Sequence, residues 1–185
     1  FLNPRLGYSL ERNEKRESLR ITIKVEEGEP IKIGNMTFTQ PKDSTAATLL
    51  SGITGELPLK SGDRFVDQSI LELESRIKNV FLNNGYPLIE INRQVDVHPD
   101  KKRADINFAV KPGPRTVFGQ VRIKGDSLVP RGFIRKKIRL SSGDLYSQQK
   151  MNASQESLFR SDLFNYVVIR APKDSIRNKR IPLIV

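Results

Sequence analysis

Two stretches of the chain follow one pattern: Val25-Glu-Glu-Gly28-Glu-Pro-Ile-Lys-Ile33-Gly34-Asn-Met36-Thr-Phe38 and Val110-Lys-Pro-Gly113-Pro-Arg-Thr-Val-Phe118-Gly119-Gln-Val121-Arg-Ile123. Val and two Gly residues recur in register, and large apolar residues recur at Ile33/Phe118, Met36/Val121 and Phe38/Ile123. Each copy then carries a second match, Leu59-Lys-Ser61-Gly62-Asp63-Arg-Phe65 or Leu140-Ser-Ser142-Gly143-Asp144-Leu-Tyr146. Because the matches keep their order at different spacings, they indicate homologous units with insertions and deletions in loops.

Copy two, residues 27–111, predicts the order strand, helix, helix, strand, strand. Alternating apolar residues predict strands at 31–39, 88–97 and 104–110. Asp43 and Ser44 offer a cap for a first helix at 45–53. Asp67 is expected to cap a second helix and Gly85 to end it. The apolar face of this second helix consists of Ile70, Leu73, Ile77, Val80 and Phe81.

Copy three, residues 112–185, predicts the same order. A strand is expected at 116–124, and Pro130 suits the first turn of a helix that continues through Ile138. Ser147 is the expected cap of a second helix, which carries Met151, Ser154, Leu158 and Phe159. Strands are expected at 166–171 and 180–185. Each copy is therefore predicted to be a small α+β domain.

Residues 1–26 predict only the last two strands of an earlier copy. Gly7-Tyr8 matches Gly85-Tyr86, and Leu19 to Val25 alternates like a strand. An isolated hairpin is marginally stable in water, so we expect it to pack against copy two or to be partly mobile. The start, Phe1-Leu2-Asn3-Pro4, is not a signal peptide and lacks an initiator Met, which favours an internal fragment.

The composition restricts the possible chemistry more than it identifies partners. The 185 residues carry a net charge of +11, which permits nucleic acid, anionic lipid headgroups or acidic polypeptides as partners. There is no Cys, so disulfides, thiolate zinc sites and Cys nucleophiles are excluded. No run of 18 apolar residues occurs, so no transmembrane helix is predicted.

No catalytic residue, metal ligand or cofactor site is predicted. His98 is the only histidine and precedes Pro99-Asp100, so we expect a turn residue and no Ser-His-Asp set. Asp63 and Asp144 recur at one position of the repeat, where an Asp can accept hydrogen bonds from nearby backbone N–H groups. The sequence thus predicts a protein that is not an enzyme.

The repeated unit resembles the POTRA (polypeptide-transport-associated) domain. The resemblance rests on the two junctions at 25–38 and 110–123, the Gly-Asp-x-aromatic turns, Asn84-Gly85-Tyr86 after a helix, and Leu163-Phe164-x-x-Val167-x-Ile169. It covers nearly all of the chain and implies tandem domains, each β-α-α-β-β with a three-stranded mixed sheet packed on two helices. The expected divisions are a hairpin at 1–26 and POTRA domains at 27–111 and 112–185.

The resemblance implies the periplasmic arm of an outer-membrane protein assembly or translocation factor, attached to a C-terminal membrane β-barrel outside this sequence. It is compatible with the Bam, Tam and two-partner-secretion branches. The implied partners are unfolded outer-membrane proteins and accessory subunits or lipoproteins, and the implied means is β-augmentation, in which an extended peptide adds a strand to a sheet edge.

The fourth element of each copy is expected to lie on a sheet edge in a POTRA-like fold. The proposed partner-binding residues are Leu88, Ile89, Ile91, Arg93, Val95 and Val97 in copy two and Tyr166, Val168 and Arg170 in copy three. Arg135, Lys136 and Lys137 are a second candidate, for acidic clients, lipoproteins or lipid headgroups. The alternatives are an edge blunted against aggregation by its charges and a solvated helix face.

A nucleic-acid-binding protein with KH-like basic domains is the rival interpretation. Gly52-Ile-Thr-Gly55 mimics the GxxG loop of KH domains, and the net charge suits phosphates. However, a GxxG clamp lies tightly between two helices, and here about a dozen residues precede the next predicted helix. Copy three has no GxxG. We therefore expect no nucleic-acid partner.

Overall fold

The order of strands and helices confirms the predicted α+β repeat. The computed structural model describes residues 4–13, 18–125 and 129–185, so residues 1–3 and 14–17 of the predicted hairpin lie outside the described residues. The elements are β1 (Arg5–Asn13), β2 (Ser18–Glu26), β3 (Lys32–Phe38), α1 (Ser44–Thr54), α2 (Asp67–Asn83), β4 (Glu90–His98), β5 (Arg103–Lys111), β6 (Val117–Arg122), α3 (Arg131–Lys137), α4 (Gln148–Phe159) and β7 (Arg180–Ile184).

The strands form three sheets in the described part of the chain. β1 pairs with β2 in an antiparallel hairpin, β3, β5 and β4 form a mixed sheet in that order, and β6 pairs with β7. The first and last strands of each copy are parallel, as β3 is to β5 and β6 to β7. The three-stranded mixed sheet predicted for copy two is therefore present.

Copy three departs from the prediction, because residues 166–171 do not form a strand. Their only bridge to β7 joins Arg170 to Ile184, and a second isolated bridge joins Arg177 to Arg180. Pro182 lies between these two bridged positions of β7. In the register of the Arg170–Ile184 bridge, Pro182 faces Pro172, and because neither proline has a backbone N–H to donate, the ladder cannot continue from Arg170 to residue 172. The described sheet of copy three therefore has two strands.

The second glycine of the repeated junction marks a β-bulge in both copies. The pairing register shifts between Ile33 and Met36 in one copy and between Phe118 and Val121 in the other. A Cβ on Gly34 would lie 2.0 Å from an Asp105 carboxylate oxygen, and a Cβ on Gly119 would lie 3.3 Å from the Ile181 carbonyl oxygen. The second glycine of the junction therefore recurs because a side chain there would clash with the neighbouring strand.

The Ser-Gly-Asp turn adopts the same structure in both copies. Asp63 accepts a hydrogen bond from the backbone N–H of Lys60 at 2.7 Å, and Asp144 accepts one from Ser141 at 2.9 Å. This confirms the structural role predicted for both carboxylates. The turn also pairs with the first strand, because the Asp63 carbonyl accepts from Ile33 N–H and the Ile31 carbonyl accepts from Phe65 N–H.

Most helix ends lie where local sequence signals predicted them. Asp43 caps α1 by accepting from Ala46 N–H, Ser147 caps α4 by accepting from Lys150 N–H, and Gly85 has a φ of 95° just beyond α2. The prediction for Asp67 was wrong, because Asp67 is the first residue of α2 rather than its cap. Helix α3 is shorter than expected and ends at Lys137, since Ile138 is already extended.

Two compact units divide the chain, and neither is continuous in sequence. Unit 1 comprises Phe1–Phe38, Leu57–Ile70 and Arg93–Phe108, and unit 2 comprises Thr39–Glu56, Leu71–Asn92 and Ala109–Val185. Unit 1 contains the hairpin, whose apolar side chains are exposed. Unit 2 contains a buried cluster of Phe118, Ile134, Ile138, Leu140, Tyr146, Met151, Leu158, Ile169, Ile181 and Leu183.

Candidate functional site

Strand β4 lies at the border of the three-stranded sheet, as the POTRA resemblance implied for residues 88–97. Within the described residues its only neighbouring strand is β5. The opposite border, β3, is partly covered by the Ser-Gly-Asp turn, which bridges Lys32 to Arg64. The sheet therefore has one border, β4, with which no further strand of the described residues pairs.

The side chains along this border alternate between two unlike faces. Ile91, Arg93 and Val95 are half-buried, and Val97 on the same face is 45% exposed. The other face consists of the exposed residues Glu90, Asn92, Gln94 and Asp96. Leu88 and Ile89 precede the strand and are half-buried and buried, respectively. The border thus has an apolar side and a polar, acidic side.

Arg93 is the exception on the apolar side, and its charge is paired. Its guanidinium donates a hydrogen bond to the Asp67 carboxylate at 2.7 Å. The side chain of Arg93 is 21% exposed, whereas that of Asp67 is 61% exposed. The first turn of α2 therefore contributes the partner that compensates a cation placed beside Ile91 and Val95.

The structure does not unite the proposed residues of copy three into a strand edge. Tyr166 is 75% exposed and Val168 is half-buried, while Arg170 makes the single bridge to Ile184. No hydrogen bond joins the backbone of residues 166–168 to another residue in ranges 4–13, 18–125 and 129–185. A groove of about 610 Å³ separates this segment from Ile123 and Val185.

The basic candidate cluster lies in the last turn of α3. Arg135 and Lys136 are exposed, and Lys137 is half-buried with its Nζ 5.6 Å from the centroid of the Phe133 ring. Cations at a helix C-terminus interact favourably with the helix dipole, which supplies a structural reason for this cluster. The three residues share one helix end and are not part of either sheet border.

His98 and Asp105 form a polar cluster that sequence reasoning missed. His98 is the last residue of β4, not a turn residue, and its Nε2 lies 3.1 Å from an Asp105 carboxylate oxygen. The backbone N–H of Asn35 donates to Asp105 at 2.7 Å and, with the positive charge of Arg103, holds the pKa of this carboxyl below its ordinary value. The recurring Gly34 was the available signal, because the missing Cβ makes room for Asp105.

Asp43 and Tyr86 form a second pair that the sequence did not reveal. The Tyr86 hydroxyl donates to the Asp43 carboxylate at 2.7 Å, which lowers the pKa of Asp43. Burial, followed by the hydrogen bond to Asp43, raises the pKa of Tyr86 to about 12. A buried tyrosine hydroxyl usually has a hydrogen-bond partner, so the apolar context of Tyr86 was the available signal.

The GxxG sequence does not form a clamp between two helices. Gly52 lies inside α1 and Gly55 is the C-cap of the same helix.

Among the described residues, no group of His, Asp or Glu side chains is arranged to hold a metal ion. Over the same ranges, no helix is both long enough and apolar enough to cross a membrane.

The fold and the repeat agree with the comparison to protein families. The family model for POTRA, described as surface antigen variable number repeat, matches residues 31–113 and 116–185. The chain belongs to the POTRA family. The POTRA domains of BamA are periplasmic parts of an outer-membrane protein in Gram-negative bacteria.

Similar proteins include several whose names refer to BamA. The chain is 19% identical over 153 residues to outer membrane protein assembly factor BamA of Nitratidesulfovibrio vulgaris, a match that covers 83% of this chain and 19% of the relative. The POTRA chain spans about a fifth of the length of the curated relatives it matches.

Two solved structures share the POTRA fold. BamA POTRA3-5 of Haemophilus influenzae superimposes with a TM-score of 0.68 at 21% identity, over 98% of this chain and 70% of that one. BamA of Haemophilus ducreyi lacking POTRA domains 1-3 gives a TM-score of 0.71 at 19% identity, over 83% and 28%. At these identities the likeness establishes the fold alone.

Proposed function

We propose that this chain belongs to the periplasmic arm of an outer-membrane protein assembly factor and binds extended client polypeptides without catalysis. The client adds as a new strand beside β4. The observation that carries this proposal is the position of β4 at the border of the three-stranded sheet, where no described strand pairs with its outer side. Because main-chain hydrogen bonds supply much of the affinity in β-augmentation, such a site accepts clients of varied sequence.

The asymmetry of the sheet supports β4 over β3 as the binding border. The carbonyl of Asp63 already accepts from Ile33 N–H at 2.7 Å, and Phe65 N–H already donates to the Ile31 carbonyl at 2.8 Å. A client strand would have to displace this turn to pair along the start of β3. Beside β4 it meets no such obstacle among the described residues. The relatives named as assembly factors add support for the same role.

A site-specific photocrosslinker tests the proposal. A strand added to β4 lies about 4.8 Å away, and about twice that distance from β5. Crosslinkers at Asn92 or Gln94 should therefore capture an extended, unfolded outer-membrane polypeptide. A crosslinker at Asn107 is the matched control, because Asn107 is an exposed residue of the inner strand β5. Capture at Asn107 that equals or exceeds capture at Gln94 would contradict β4 as the site.

The remaining candidate surfaces belong to the same proposed arm. The exposed Arg135 and Lys136 suit acidic accessory subunits, lipoproteins or lipid headgroups. Tyr166, Val168 and Arg170 stay a proposed client surface of copy three, although they form no strand edge. Replacing Arg135 and Lys136 by Gln should weaken the binding of an acidic partner and should leave crosslinking at Gln94 unchanged. A loss of crosslinking at Gln94 in that variant would contradict two separate surfaces.

The domain arrangement that fits these observations is two POTRA domains, 27–111 and 112–185, preceded by the last hairpin of another. Equivalent positions of the repeat differ sharply in exposure: Tyr8 is 77% exposed and Tyr86 0%, while Val25 is 51% exposed and Val110 3%. In the register of the hairpin, Leu6, Tyr8 and Leu10 face Val25, Ile23 and Ile21 on one side. We infer that helices of the preceding domain cover this face.

Cysteine accessibility tests the hairpin assignment, because the chain has no Cys. In the full-length protein, a cysteine replacing Tyr8 should react with a maleimide much more slowly than one replacing Ser9, which lies on the opposite face. Equal reaction rates at the two positions would show that the apolar face is uncovered.

A further inference from the structure

Resting on the proposed function, we propose that β4 selects its clients by charge. The strand that adds to β4 is amphipathic, with apolar side chains on one face. Its other face carries neutral polar or cationic side chains and excludes acidic ones. The proposal concerns which extended segments are retained, whereas the proposed function concerns where they bind.

The two faces of β4 require an amphipathic partner. Side chains of an added strand lie directly beside those of β4 on the same face, with Cβ atoms about 4.5–5.5 Å apart. One face of β4 offers Ile91, Val95 and Val97, and the other offers Glu90, Asn92, Gln94 and Asp96. A client strand that alternates apolar and polar residues matches both faces at once, which is the period of a membrane β-strand.

The polar face of β4 carries negative charge only. Glu90 and Asp96 are its two charged residues that precede His98, and neither forms an ion pair with another described residue. The amide of Gln94 donates to the Asp96 carboxylate at 3.2 Å, which leaves the charge in place. These two carboxylates stand out in a chain whose net charge is +11.

The one cation of the strand does not offset this charge. Arg93 projects to the apolar side, and its guanidinium is held by Asp67 at 2.7 Å. An acidic client therefore gains no free cation from β4 and meets Glu90 and Asp96. Although the net positive charge attracts acidic chains at long range, that field is screened beyond about 8 Å at 0.15 M salt.

Cross-strand electrostatics gives the expected size of the selection. Favourable or unfavourable charge pairs across two strands each change an association constant by roughly 1.4- to 5-fold. Two carboxylates acting on opposite or like charges should separate cationic from acidic clients by about tenfold. A neutral client should fall between the two.

Three peptides provide the test. They share apolar residues at alternate positions and carry Lys, Ser or Glu at the intervening positions, and each has a photocrosslinker and a fluorophore. Affinity for the intact chain is measured by fluorescence anisotropy at 0.15 M salt, and the attachment site by mass spectrometry. We expect crosslinks to β4 and an affinity order of Lys, Ser, Glu, with about tenfold between the ends.

A pair of variants separates local from global charge effects. E90Q/D96N should reduce the difference between the Lys and Glu peptides to about twofold or less. E11Q/E26Q is the matched control, because it changes the net charge equally at the exposed hairpin residues and should keep the difference. Circular dichroism verifies the fold of both variants.

The outcomes distinguish the two proposals. Crosslinks to β4 with equal affinities for the three peptides, or with a preference for the Glu peptide, would overturn charge selection and leave the proposed function standing. The same preference in E90Q/D96N as in the native chain would also overturn it. Failure of every peptide to crosslink to β4 would overturn the proposed function and the selection with it.

Discussion

The Asn83 side-chain oxygen accepts a hydrogen bond from the backbone N–H of Gln149 at 2.8 Å, across 66 residues of sequence. It also lies 3.2 Å from the Ser147 hydroxyl, which donates to it. Asn83 ends α2, whereas Gln149 belongs to the first turn of α4. One copy of the repeat therefore satisfies an N-terminal N–H group that the helix of the next copy cannot satisfy itself.

Replacing Asn83 by Ala should lower the free energy of unfolding of unit 2 by about 1 kcal/mol, the usual effect of a lost helix cap. Urea titration followed by circular dichroism measures the change. Asn83→Asp is the matched control, because a carboxylate keeps the acceptor and its charge favours a helix N-terminus. Equal losses in both variants would show that the hydrogen bond to Gln149 contributes nothing.

Gly34→Ala should destabilise the protein by about 2 kcal/mol, since the new Cβ would displace Asp105 from its hydrogen bond with Asn35 N–H. Gly52→Ala is the control, because its Cβ would meet nothing within 4 Å and the position is helical. We expect this control to raise stability by about 0.5–1 kcal/mol. A neutral Gly34→Ala would mean that Asp105 moves without loss.

The Asp43–Tyr86 hydrogen bond should make stability fall at both extremes of pH. The raised pKa of Tyr86, about 12 against an ordinary value of 10.0, means that its contribution is complete below pH 10 and is lost as pH rises towards 12. The lowered pKa of Asp43 means that its contribution is present above the unfolded-state pKa and is lost as pH falls through the folded-state value.

Denaturant titration of native protein and Tyr86→Phe checks the alkaline limb. The difference in unfolding free energy between them should be constant from pH 7 to 9 and should shrink between pH 10 and 12, because only the native protein carries Tyr86. A difference as large at pH 12 as at pH 8 would refute the role of the tyrosine proton.

Arg93→Val should change stability by less than about 1 kcal/mol, because a partly exposed ion pair contributes little. It should nevertheless increase self-association, since an inward-pointing charge protects a sheet edge and valine would extend the apolar face of β4. Sedimentation velocity measures the self-association. Asp67→Asn breaks the ion pair but keeps the guanidinium, so it should associate no more than the native chain does. Equal association of both variants would contradict the protective role.

The sequence predicted those features that depend on neighbours within a few residues. Asp43, Ser147 and Gly85 act on groups in their own helix turn, and the two Ser-Gly-Asp turns close over three residues. Strand alternation likewise located β4, and the family resemblance located it at the border. These signals require no knowledge of which distant segments meet.

The features that escaped prediction all depend on distant partners. Tyr86 donates a hydrogen bond to Asp43, 43 residues away, and the sequence around either residue does not predict this contact. The single bridge that residues 166–171 make also depends on a distant partner, because the register of Arg170 with Ile184, in which Pro172 faces Pro182, cannot be read from either segment alone. Asp67 is of a residue type that often caps helices, but it is the first residue of α2 and forms an ion pair with Arg93.

The turn that lies against β3 makes the two borders of the three-stranded sheet unequal. A unit whose two borders were both open could join to others without limit, as strands do in a fibril. Here the segment 63–65 occupies the start of one border, so a second copy of the sheet cannot pair its β4 with the start of β3 unless this turn is displaced. The turn therefore disfavours the stacking of whole domains border to border, while the β4 border stays open to the client strand that we propose.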